Sequence, residues 1–201
     1  MGANHSHIMV EAASTGKLDL LEQLLAKENP AEETIQTLLI AAAWKSQTSI
    51  VKYLLSNYPS VVLPFEFIRA AIFSSSPELF SALLSKDPAI INRHIETMGT
   101  PLAFACFIKR PIEFLEFLLK AGADPNNNAY LLIPTPLESV AARYDDTRVA
   151  DLLLKYGAEL DSETIDIAVS EGDEVMACYL KERRDNMKDS PTTPGPASSS
   201  N

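Results

Sequence analysis

Apolar residues recur along the chain at intervals of three and four, as in Leu18, Leu21, Leu24 and Leu25 and again in Phe114, Leu115, Leu118 and Leu119. That spacing gathers side chains on one face of a helix. Before each such segment comes another, which ends in two small residues and a short polar turn. The composite pattern occurs six times. Its copies read Ala12-Ala13 with Leu24-Leu25, Ala42-Ala43 with Leu54-Leu55, Ala71-Ile72 with Leu83-Leu84, Ala105-Cys106 with Leu118-Leu119, Val140-Ala141 with Leu153-Leu154, and Ala168-Val169 with a shorter run ending at Leu180. Each copy predicts a helical hairpin. A hairpin of this size cannot cover its own apolar face, so the copies are expected to stack into one all-α array over residues 1–184, with residues 185–201 as a Ser-, Thr- and Pro-rich disordered tail.

Helix starts and stops carry local signals. Thr135-Pro136-Leu137-Glu138 and Asn29-Pro30-Ala31-Glu32 read as capping boxes, and Ser76-Pro77 and Thr100-Pro101 as helix starts with proline in the first turn. Gly122 and Gly157 follow Lys120 and Lys155 after the Leu runs, where a left-handed residue ends a helix and a basic side chain faces its dipole.

At this point the residues resemble a known family. Thr100-Pro101-Leu102-Ala103-Phe104-Ala105, then Ile112 to Leu119, then Gly122-Ala123-Asp124-Pro125-Asn126 is similar to the ankyrin-repeat motif nearly end to end. Thr135-Pro136-Leu137 and Gly157-Ala158-Glu159 repeat it at an offset of 35. The other copies keep only the small pair and the Leu run. Ala103 and Glu138 stand where the family has a His, and one extra residue enters the turn around Lys109-Arg110-Pro111 and around Asp145-Asp146. The resemblance implies an ankyrin-type solenoid of about six stacked helical hairpins with short connecting loops. It implies a module that binds another protein on its inner face as adaptor, inhibitor or regulatory subunit.

By the same resemblance, the two positions after each small pair face the groove. They are Ser14-Thr15, Trp44-Lys45, Phe73-Ser74, Phe107-Ile108, Ala142-Arg143 and Ser170-Glu171. The central copies thus align Trp44, Lys45, Phe73, Phe107 and Ile108, with Arg143 and Tyr144 continuing the row. Aromatic residues and Arg carry much of the energy of protein interfaces. The competing expectation is that these rings turn inward and fill gaps between imperfect repeats. A second candidate surface is the loop Asn126 to Pro134, whose Tyr130, Leu131 and Leu132 are apolar where the family is polar, with Ile95 and Met98 in the matching loop one copy earlier.

Composition narrows the partners. The chain carries 17 basic and 27 acidic side chains, a net charge of −10, and residues 181–201 hold four of the basic and three of the acidic ones. A polyphosphate would bind against that field, which argues against nucleic acid, and association with a partner of basic surface would be favoured. Cys106 and Cys178 read as small buried hydrophobes rather than a disulfide or a metal site. No apolar run is long enough to span a membrane and no leader pattern is read, so cytoplasm or nucleus and a monomeric state are expected.

His5, His7 and His94 are too scattered for a catalytic or metal site, and no nucleophile elbow, phosphate-cradling glycine loop or Cys-x-x-Cys occurs, so neither enzyme activity nor a cofactor is expected. Both ends carry charge, His5 and Glu11 at one and Glu171, Asp173, Glu174 and Lys181 at the other, which weighs against a scaffold that dimerises through its end repeats. Met1-Gly2-Ala3-Asn4-His5-Ser6 fits the permissive myristoylation pattern, and Ser190-Pro191 and Thr193-Pro194 fit proline-directed phosphorylation.

Overall fold

The computed structural model describes residues 2–95, 98–127 and 134–188. Among the described residues twelve α-helices form six pairs, with no strand. The first helices of the pairs are α1 (Gly2–Thr15), α3 (Glu32–Trp44), α5 (Phe65–Ser74), α7 (Pro101–Phe107), α9 (Pro136–Arg143) and α11 (Ser162–Ser170). The second helices are α2 (Leu18–Leu25), α4 (Thr48–Asn57), α6 (Pro77–Lys86), α8 (Ile112–Lys120), α10 (Thr147–Lys155) and α12 (Glu174–Lys188). A 3-10 turn, Pro88–Asn92, follows α6.

Neighbouring first helices lie side by side because their contact positions are small. Ala12, Ala13, Ala42, Ala43, Ala70 and Ala71 are fully or almost fully buried where α1 packs on α3 and α3 on α5. Leu54, Leu83, Leu118 and Leu153 of the second helices are fully buried beneath them, and one apolar cluster runs from Met9 to Leu180. The junction between α5 and α7 is wider than the other first-helix junctions. Aromatic rings meet across it, Phe73 against Phe104 edge-on at 5.9 Å, and in the layer of second helices Phe80 of α6 meets Phe114 and Phe117 of α8 at 5.8 and 6.3 Å.

The turn between paired helices is built alike in five of the six pairs. Gly16, Ser46, Ser75, Lys109 and Gly172 all take positive φ at the fourth residue after the first member of the small pair. In four of them the next amide then reaches back to that first member, as Lys17 to Ala12, Gln47 to Ala42, Arg110 to Ala105 and Asp173 to Ala168, at 2.9–3.0 Å. Lys109 and the added Pro111 therefore keep the common closure, and the extra residue merely delays α8. The fifth pair departs: Tyr144 is extended, and Asp146 caps α10.

The caps sort into two groups. Ser76, Thr100 and Thr135 cap as the sequence predicts, and Thr135 forms the full capping box with Glu138. Asn29 does not. Helix α3 begins at Glu32 after an Ala31 cap with no side-chain bond, and the Glu32 carboxylate instead accepts from the Val62 amide at 2.8 Å, tying the second pair to the third. Gly122 and Gly157 take the left-handed conformation expected of them.

Two asparagines, Asn92 and the Asn126 that closes the motif, lock consecutive repeats together. Asn92 donates to the Gly122 carbonyl and accepts from the Asp124 amide, at 2.9 and 2.8 Å. Asn126 makes the same pair of bonds to Gly157 and Glu159, each at 2.8 Å. Ile95 and Met98 are buried rather than exposed along an edge. Cys106 is buried, and its burial pushes the thiol pKa far up, whereas Cys178 is exposed on α12, against the sequence reading. Among the described residues no helix packs over that position of α12. Helix α12 continues to Lys188, into the stretch read as tail, and Ser190 and Thr193 lie outside the described residues.

Two stability outcomes follow from this packing. Leu83→Ala or Leu118→Ala should each cost about 2–5 kcal/mol in urea denaturation, the range for fully buried leucines. Asn92→Ala removes both halves of one inter-repeat bracket and should cost about 1–2 kcal/mol, with Asn92→Asp, which keeps only the acceptor, falling between it and the wild type.

Candidate functional site

The positions after the small pairs lie at the C-terminal ends of the first helices. Trp44 closes α3 with 42% of its surface exposed, and Phe73 near the end of α5 is 37% exposed. Their rings touch, with centroids 5.3 Å apart and planes tilted by 37°. These two rings therefore face outward. Half-buried Phe107 ends α7 but makes no ring contact with Phe73, because Phe104, one turn earlier and only 9% exposed, fills that place. The row is thus Trp44, Phe73, Phe104, with Phe107 beside it.

Cations interleave with the rings. Arg69, four residues before Phe73, lies 5.7 Å from the Trp44 ring and 5.9 Å from the Phe65 ring. The Arg110 guanidinium lies 5.4 Å from the Phe73 ring while donating to the carbonyls of Phe73 and Ile108 at 3.2 and 3.1 Å. Arg143 lies over the Phe107 ring at 3.9 Å, and the Lys109 ammonium is 5.7 Å from the ring of Tyr144. Such contacts hold long side chains in place over flat apolar surfaces.

The remaining predicted residues divide. Lys45 is exposed beside Trp44, and Ile108 is half-buried against the core. Tyr144 is half-buried, and its hydroxyl donates to the Cys106 carbonyl at 3.2 Å, so this side chain also ties the fifth pair to the fourth. Loss of solvent around it drives its pKa upward. Tyr130, Leu131 and Leu132 lie outside the described residues. Arg69, Phe104, Lys109 and Arg110 were missed as site residues. Arg69 had a legible signal, its i+4 spacing from Phe65, whereas Arg110 is placed by the common turn, which brings the guanidinium back across the wide junction to α5.

Comparison with known proteins agrees with this architecture. No protein-family model matches the chain. The ankyrin repeat and SOCS box protein 5 of Mus musculus and that of Bos taurus are each 34% identical to it over 77 residues, 38% of this chain and 22% of theirs. The chain thus spans about a fifth of the length of the curated relatives it matches. Among solved structures, the human ASB11 ankyrin repeat domain superposes with a TM-score of 0.62 at 21% identity, covering 86% of this chain and 96% of that one. A chain from the complex of a predatory endopeptidase of Bdellovibrio bacteriovorus with an immunity protein superposes at 0.68 and 23% identity, covering 87% and 97%. The fold is the ankyrin-type solenoid, and the sequence is similar to ankyrin-repeat proteins over part of its length.

The exposure of Trp44 sets a measurable expectation. Trp44→Ala should lower stability by less than about 2 kcal/mol in thermal melts, whereas Phe80→Ala, at a fully buried ring, should cost about 3–5 kcal/mol. A Trp44 loss as large as that of Phe80 would assign the ring to packing.

Proposed function

We propose that this chain is a non-enzymatic protein-binding module, using the inner face of its repeat stack to hold one partner protein as adaptor, inhibitor or regulatory subunit. The observation that carries the reading is the pair of touching, outward-facing rings of Trp44 and Phe73 at equivalent positions of adjacent repeats. Exposed aromatic surface held rigid by stacked helices loses little entropy on binding, so contacts there convert efficiently into affinity. One structural neighbour comes from a protein–protein complex, which is consistent with the reading.

Other parts of the proposal rest on the whole chain. The net charge of −10 favours association with a partner whose surface is basic at long range, in a cytoplasmic or nuclear setting, with the chain itself a monomer. No helix among the described residues is long and apolar enough to cross a membrane.

The test is affinity capture by wild-type protein and by a Trp44→Ala, Phe73→Ala, Phe107→Ala variant whose circular dichroism matches the wild type. The expected outcome is a partner retained by the wild type and lost from the variant. A partner held equally by both removes the inner face from the proposal and turns attention to the Asn126 to Pro134 loop.

A further inference from the structure

Five cations gather on the inner face of the central repeats: Lys45, Arg69, Lys109, Arg110 and Arg143. The acidic side chains of this chain outnumber the basic ones by 27 to 17, yet none of the five is in an ion pair among the described residues. Ion pairs do form elsewhere, as between Lys120 and Glu116 and between Arg93 and Asp87. Four of the five lie instead over aromatic rings. Helix dipoles account for a cation at the C-terminal end of a first helix. They account neither for the rings beneath these cations nor for the absence of ion pairs to the nearby Glu66 and Asp145.

Resting on the reading of this face as the binding surface, we propose that its occupant is a short acidic peptide segment bearing aromatic or large aliphatic side chains. The exposed faces of Trp44 and Phe73 receive the apolar groups. Lys45, Lys109 and Arg143, none of them in an ion pair among the described residues, receive its carboxylates. The strip has a defined extent, because the equivalent positions of the end repeats carry Ser14, Thr15, Ser170 and Glu171. From α3 to α9 there are three helix spacings of roughly 8–10 Å, a length matched by roughly eight residues of extended chain.

Long-range attraction follows net charge, whereas contact within about 10 Å follows the nearest charges. An acidic segment on a partner whose remaining surface is neutral or basic satisfies both. Single-stranded nucleic acid also combines negative charge with stacking rings, but its phosphates continue beyond the strip into an acidic surround that repels them.

The test is selection from a random-peptide phage library, followed by binding of the enriched synthetic peptides read through the fluorescence of Trp44, the chain's only tryptophan. The same peptides are measured by anisotropy on two variants. One is Trp44→Ala, Phe73→Ala, Phe107→Ala; the other is Lys45→Gln, Lys109→Gln, Arg143→Gln, with Lys45→Arg, Lys109→Arg as its charge-preserving control. Single-stranded oligothymidylate is the nucleic-acid probe.

The expected result is enrichment of acidic, aromatic-bearing peptides whose affinity falls at least about tenfold in both the aromatic and the glutamine variants, weakens with added salt and survives in the arginine control. Peptides that need the rings but show no acidic bias, and bind the glutamine variant as well as the wild type, overturn this inference and leave the inner-face reading standing. Peptides that bind without the rings overturn both. Oligothymidylate binding more tightly than every selected peptide overturns the acidic-peptide assignment in favour of nucleic acid.

Discussion

Close approach of the first helices at their paired small residues is the contact on which the molecule depends. A helical pair of this length has an apolar face that water would otherwise reach, and only the next pair can cover it. Ala12-Ala13 and Ala42-Ala43 allow that approach because a methyl group adds little bulk between the helices, while buried leucines of the second helices fill the layer beneath. Stability is therefore distributed along the array. The Asn92 and Asn126 brackets add directional bonds from the third repeat to the fourth and from the fourth to the fifth.

The one wide junction, between α5 and α7, shows what happens when this rule is relaxed. The space is occupied by rings instead of methyl groups, and Arg110 crosses it to bond the carbonyl at the end of α5. Rings large enough to bridge a wide junction also extend to its surface. Phe73 consequently serves two ends: its edge packs on Phe104 and its exposed face joins Trp44.

Charge follows a similar division between the whole and the local. The chain is acidic overall, yet the surface around Phe73 and Phe107 sets cations on ring faces and outside the ion pairs. Net charge governs approach over distances beyond the screening length, and side-chain placement governs contact. A reading of composition alone describes only the first.

The periodicity of three and four, the small pairs and the Leu runs were enough to specify an all-α array of six hairpins, because burying an apolar stripe leaves few arrangements open. Thr135 and Ser76 as caps and Gly122 and Gly157 as stops were also legible, since each acts on its own backbone within a few residues. The Asn29 cap failed because Glu32 had a stronger partner, the Val62 amide, in the next repeat. Cys178 failed because burial at a helix position requires a covering neighbour, and no described element covers that position of α12. The sequence placed Trp44, Phe73 and Phe107 at equivalent positions, but it did not determine that Phe104 would replace Phe107 in the ring row or that Tyr144 would turn back to Cys106. Those outcomes depend on the spacing between helices, a property of the packed array rather than of any one segment.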